Sequence, residues 1–312
     1  MSYKHIPVML SEVVHSLNCK PGKIYADCTL GGSGHASAIL KKIIPDGILI
    51  GIDQDIDAIK NAKRKLKPYE LNIHLFHDNF INLPKILSQL NITAVDGILL
   101  DLGISFHHLD SSGRGFSFRK DEPLDMRMNI ESETTAEKLI NTMDEKSLAE
   151  IFFKYGEERY SRKIAKKIVS VRKKEKIKSS GQLSEIVCRA VSGKASSRRR
   201  IHPATRVFMA VRIAVNKELD MLNSFMETAV DLLNPEGRFC VLSFHSLEDR
   251  IVKKKIKLLE GKCICPPAMP RCVCNNTRVI RSLTRKVLRP TEEEIAANPM
   301  ARSAKLRAVE RL

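Results

Sequence analysis

Four short apolar or alternating runs, separated by stretches long enough for helices with lysine-rich faces, constrain this chain more than any other feature. They are "KIYADCTL" (Lys23 to Leu30), "GILIGID" (Gly47 to Asp53), "NIHLFHDNF" (Asn72 to Phe80) and "VDGILLDLG" (Val95 to Gly103), with Asp57 to Leu66 as one of the helical stretches between them. Such alternation predicts parallel strands joined by covering helices, an open doubly wound α/β sheet. Ligands of these folds bind beyond the carboxyl ends of the strands. There the sequence puts the loop from Gly31 to Gly34, Asp53, the turn from Asp78 to Phe80, and Asp101.

The first of those loops lies in "ADCTLGGSGHASAIL", Ala26 to Leu40. Glycines between a strand and a helix let backbone N–H groups approach a ligand closely. Against the dinucleotide pattern G-x-G-x-x-G, Gly32 and Gly34 match and Ser37 stands at the third glycine. A tight turn with no ligand is the other reading of the loop taken alone. Asp53, about twenty residues on, can accept both ribose hydroxyls of a nucleoside, an arrangement that dehydrogenases and S-adenosylmethionine-dependent methyltransferases share. A pyrophosphate wants a helix dipole and a full glycine fingerprint, whereas a zwitterionic methionine end needs donors plus a carboxylate. The incomplete fingerprint leans away from NAD. Asp101 then faces the ammonium of the cofactor or the substrate, and Phe80 offers adenine a flat apolar surface. A capping Asp and a core Phe are the structural readings of the same residues.

From about His107 to Ile213 strand-like runs vanish and basic helical periodicity replaces them. In "SRKIAKKIVSVRKKEKIK", Ile164, Ile168 and Val171 form the apolar stripe; after Pro203 another stripe runs from Val207 to Leu222. Strand character returns from Arg238 to Phe244. The expected organisation is therefore 1–106 and 214–312 as two parts of one α/β domain, with 107–213 as an inserted basic helical domain of normal domain size. Lys plus Arg number 53 against 36 acids, a formal net charge of +17 over 312 residues, which favours a polyanionic partner such as nucleic acid, although genome bias also produces basic chains. Glu12 and His15 interrupt the apolar N-terminal run and no later run is long enough to span a membrane, so a cytoplasmic protein is expected. Cys19, Cys28, Cys188 and Cys240 are scattered as free thiols would be. Cys263, Cys265, Cys272 and Cys274 crowd "CICPPAMPRCVC", either a tetrahedral zinc site or a cysteine-rich loop; no metal is assigned.

The strings "HIPVMLSEVV", "GGSGH", "GIDQD", "LLDLGIS", "RGFSFRKDEPLDMRM", "YGEERYSRKIAKKIV", "HPATRVFMAVRIAVNKEL", "SFHSLEDRIVK" and "NPMARSAKLRAVER" resemble the bacterial enzymes of the MraW or RsmH type, which methylate N4 of a cytosine in 16S ribosomal RNA. The likeness spans nearly the whole chain. It implies a class I methyltransferase fold, Rossmann-like, with a helical insertion; S-adenosyl-L-methionine as donor; and the small ribosomal subunit as substrate. It places cofactor contacts on Ser33, Gly34, His35, Asp53, Phe80, Asp101 and the position of His108. Where the family usually reads Asp-Leu-Gly-Val-Ser-Ser-Pro-Gln-Leu-Asp, this chain has "DLGISFHHLD", so His108 replaces a glutamine; Met209 replaces another. Cytosine N4 is a weak nucleophile, so the enzyme must hold it in line with the methyl group and accept an amino proton. Asp101 and His245 are the two candidates for that acceptor, and His245 has a structural reading as well. The Asp-Pro-Pro-Tyr signature of many amino-group methyltransferases is absent. A non-catalytic RNA-binding ribosome-assembly factor is the alternative function. The oligomeric state stays open, a homodimer being one outcome.

Overall fold

A computed structural model describes residues 6–191, 201–262, 265, 269, 277–284 and 286–312. The chain forms two compact units, Met1–Gly103 with Leu219–Leu312, and Ile104–Glu218. The first contains a seven-stranded sheet of β1 (Ile24–Asp27), β2 (Ile48–Asp53), β3 (Ile73–His77), β4 (Val95–Asp101), β5 (Leu233–Ser243), β6 (Ile280–Ser282) and β7 (Lys305–Arg311). Their order is β3-β2-β1-β4-β5-β7-β6. Pairings from β3 to β5 are all parallel, and β7 runs antiparallel to both its neighbours. The four alternating runs of the sequence are β1 to β4. The tail after Pro290, whose pattern suits either strand or helix, forms α13 (Glu292–Ala297) followed by β7.

Alternation along the strands explains why the sheet is covered on both faces. Ile50, Ile52, Ile98, Leu100, Phe239 and Val241 enter one core with Leu222, Phe225 and Met226 of α11 (Glu218–Thr228) and Val252 of α12 (Ser246–Leu259). Their neighbours Leu49, Leu99, Cys240 and Leu242 enter the other, packed with α1 (Leu10–Leu17), α2 (Gly34–Ile43) and α3 (Ile56–Lys65). A period of two sends successive side chains to opposite faces. Helix α4 (Leu83–Gln89) closes the first face. Burial pushes the Cys240 thiol well above its ordinary value, as expected of an inert core cysteine.

The second unit is helical: α5 (Phe106–Asp110), α6 (Ala136–Thr142), α7 (Glu145–Lys154), α8 (Ser161–Arg172), α9 (Ser180–Val191) and α10 (Ala204–Asn216). Ile164, Ala165 and Ile168 of α8 and Val207, Phe208 and Val211 of α10 share its core. The long "RGFSFRKDEPLDMRM" loop is tied by polar side chains. Asn216 accepts from Met128 N–H at 2.8 Å and donates to Met126 O at 2.8 Å, while Arg114 donates to the carbonyls of Arg127 and Met128. Arg172, in the basic run of α8, donates to Ile140 O at 2.5 Å and to Met143 O, satisfying carbonyls at the end of α6. The arginine run Arg198, Arg199 and Arg200 of "SSRRRIHPATR", expected from its charge to contact RNA phosphates, lies outside the described residues, as do Cys263, Cys272 and Cys274. Among the described residues no helix is long and apolar enough to cross a membrane.

Candidate active site

The loop after β1 is held from behind by both ends of its unit. Ser33 is fully buried, takes left-handed φ 59° and stands at the N-terminal boundary of α2 without a side-chain capping hydrogen bond. A Cβ on Gly34 would come within 2.8 Å of the Pro7 ring, so this glycine is needed for packing as well as for any ligand. His35 Nε2 donates to Val8 O at 3.0 Å. Asn298 in turn donates to Ile6 O, and Met9 N–H to Glu294 Oε1 at 2.6 Å. From the open side Lys65 donates to Gly32 O at 2.9 Å. The strings "IPVML" and "NPMARS" are thus the buttress of the glycine loop.

Three carboxyls converge at the strand ends. Asp53 Oδ2 accepts from Gly31 N–H and Oδ1 from Asp55 N–H, both at 2.8 Å, so it links the loop to the turn after β2. Burial pushes its pKa up to about 6 against these two donors. Asp27, which closes β1, is 1% exposed and is pushed up to about 7, first by burial and then by the charge of Asp53. Its Oδ1 accepts from Thr29 N–H at 3.2 Å, and Thr29 Oγ1 accepts from Asp101 N–H at 2.7 Å. Asp101 is raised well above the ordinary carboxyl range by burial, then by Asp27 and Glu248. Its Oδ2 lies 3.5 Å from His35 Nδ1, while Oδ1 is buried with no hydrogen-bond partner, as is Ser33 Oγ. Sequence reasoning missed Asp27. Its signal is an acid closing an apolar strand two residues before Thr29, overshadowed by the neighbouring glycines.

Three other expected residues have partners within their own unit. Phe80 opens the short turn after β3, is 9% exposed and packs edge-on against Phe225 at 5.2 Å, so most of its ring belongs to the core. His245 caps α12: its Nδ1 accepts from Glu248 N–H, Nε2 lies 3.1 Å from Glu248 Oε1, and Glu248 Oε2 accepts from the N–H groups of Phe244 and His245. This is a reciprocal capping box. In the helical unit α5 has such a box too, with Ser105 at the cap and His108 in the place of Glu248. His108 Nδ1 accepts from Ser105 N–H at 3.1 Å, with Ser105 Oγ 3.0 Å away. A Ser-x-x-Gln capping box supplies a glutamine oxygen at that place, so the imidazole keeps the cap that the family's glutamine can make.

An acid-lined crevice disfavours a pyrophosphate, and buried carboxyls lacking partners are relieved by a cation. A nucleoside with a sulfonium and an ammonium group has that chemistry: Asp53 suits its ribose and Asp101 its positive charges. On a parallel sheet whose strand β7 alone is reversed, this is the plan of the class I S-adenosylmethionine-dependent methyltransferases. The chain belongs to one branch of them, the MraW methylase family, whose family model matches residues 2–312. It is 53% identical over 312 residues to "Ribosomal RNA small subunit methyltransferase H" of Desulfosudis oleivorans, and 53% identical over 312 residues to the protein of that name from Desulforapulum autotrophicum. The identity is 50% over 312 residues to that of Clostridium botulinum. Each match covers 100% of both chains.

Proposed function

We propose that this protein transfers a methyl group from S-adenosylmethionine to N4 of a cytosine in 16S ribosomal RNA, with the small ribosomal subunit as its substrate. The observation that carries the chemistry is Asp101 Oδ1, a buried carboxyl oxygen without a partner at the end of β4, beside the loop that ends in His35. When bound, the cofactor supplies an electrophilic methyl on a sulfonium. Asp53 is held by its two backbone donors with lone pairs left for ribose hydroxyls, and Ser33, Gly34 and His35 line the methionine end. Phe80 shows adenine only the part of its ring left outside the core. Asp101 accepts an N–H hydrogen bond from the cytosine amino group, orients its lone pair toward the methyl and takes up the proton. Positive charge nearby lowers the pKa of Asp101, so the carboxylate form is available when the site is loaded. His245 supports the site from the cap of α12.

The helical unit supports the RNA part of the reading. Arg162, Lys163, Lys166 and Lys167 of α8 are exposed on the side opposite Ile164 and Ile168, and they suit phosphate contacts that fix position without choosing the base. The protein is read as cytoplasmic; sedimentation of the purified chain decides between monomer and homodimer. The deciding experiment is nucleoside mass spectrometry of 16S RNA and of small subunits after incubation with protein and labelled donor. N4-methylcytidine is expected. RNA binding without a labelled nucleoside would instead identify a non-catalytic assembly factor.

A further inference from the structure

Helix α12 begins where the crevice ends. The charge of Glu248 in its first turn is among those that raise Asp101, and a Cβ on Gly103 would lie 3.6 Å from the Phe244 ring. Leu247, Glu248 and Val252 are buried. Arg250, Lys253, Lys254 and Lys257 are exposed, spaced i, i+3, i+4 and i+7, and so form one stripe along the opposite side. A charged stripe is usually a solvated face interleaved with acids. Here the acids of the helix are all engaged elsewhere. Glu248 accepts from Phe244 and His245 N–H groups, and Asp249 pairs with Lys305 at 2.9 Å and Arg307 at 2.8 Å on β7. Glu260, just past the helix, takes Lys262 and Ser282 N–H. Among the described residues, no carboxylate pairs with Lys253, Lys254 or Lys257. On α3, by contrast, Lys60 reaches Asp57, Arg64 reaches Asn61 and Lys65 holds Gly32 O.

We propose that the Lys253–Lys254–Lys257 stripe of α12 is a phosphate track for the RNA strand that delivers its base to the crevice. The inference rests on the reading of RNA as substrate. From Lys253 to Lys257 the helix rises roughly 6 Å, enough to face about two phosphates of one strand at ~3.4 Å of axis each. The sheet unit therefore carries its own RNA-binding surface. Lysine point charges on flexible stems suit a backbone whose sequence is not read.

The test is the triple variant Lys253→Gln, Lys254→Gln, Lys257→Gln, with a Lys→Arg triple at the same positions. Binding to 16S RNA is followed against salt, RNA KM in the methylation assay, and donor affinity by calorimetry. The Gln variant should raise RNA KM and flatten the log–log salt slope by about 0.7–0.9 for each phosphate no longer neutralised. Donor affinity should stay unchanged, and the Arg variant should keep the wild-type slope. A folded Gln variant with wild-type slope and KM overturns the track. So does weaker binding with an unchanged slope, because the surface would then not be touching phosphates. If the wild-type protein methylates nothing, the proposed activity fails, while the slope comparison still decides the track.

Discussion

The strand ends of the sheet unit and helix α8 of the helical unit use charge in opposite ways. The first gathers the buried Asp27 with Asp53 and Asp101, both partly exposed, and all three have raised pKa values. The second exposes Arg162, Lys163, Lys166 and Lys167. A few buried groups have protonation states that burial and neighbours can tune, so they serve chemistry at defined atoms. Many exposed cations are screened by salt, so they serve affinity for a polyanion. Arg172 marks the boundary between these roles: it lies in the same basic run yet is engaged with the carbonyls of Ile140 and Met143.

The comparison breaks first at Asp101. Asp101→Asn keeps the shape and removes the proton acceptor, so single-turnover methyl transfer should fall about 10²–10⁴-fold while RNA affinity is retained. An undiminished rate in the folded variant would leave the sheet unit without its acceptor.

A second effect is on stability. Because the folded state raises the pKa of Asp27 from 3.8 to about 7, it binds more protons than the unfolded chain between those two values. Stability of the ligand-free protein should therefore fall as pH rises through that window and level off above it. Asp27→Asn mimics the protonated acid and should flatten the fall, by at most about 4 kcal/mol at about 1.36 kcal/mol per unit. Denaturant midpoints across pH measure this, and identical curves for both proteins would mean that Asp27 is ionised in the fold.

Asp53→Ala should weaken donor binding by about 1.5–3 kcal/mol through loss of a charge-assisted hydrogen bond. Calorimetry that finds wild-type affinity in a folded variant removes Asp53 from the site.

The smallest effects separate Arg172 from its neighbours. Arg172→Met should lower the stability of the helical unit by about 1–2 kcal/mol and leave the RNA salt slope alone. Replacing Arg162, Lys163, Lys166 and Lys167 with Gln should do the reverse, reducing the slope by up to about 0.9 for each phosphate they neutralise. If both variants change the slope equally, capping by Arg172 is not its main role.

Much of this is legible in the chain because it depends on local pattern. Period-two runs with acids at their ends specify the parallel strands, the crevice and Asp53 and Asp101; apolar residues at helical spacing specify α8 and α10. What is not legible depends on partners far away in sequence. In the sequence Gly34, His108 and His245 read as site residues; the structure adds that Pro7 packs against Gly34 and that both histidines take part in helix caps. The short edge strand β6 carries too few residues to show a period, and it is defined by pairing with β7.

The sequence by itself determined which segments alternate, where charge accumulates and, through long specific strings, the family, since periodicity and composition are carried by neighbours along the chain. Only the tertiary structure decided which charges are tuned and which are merely exposed. The protonation of a carboxyl depends on its burial and on the charges that other elements bring to it, as Asp27 of β1 and Glu248 of α12 do to Asp101, and ion pairing depends on what faces a cation, as Asp249 faces Lys305 and Arg307 rather than the lysines of its own helix.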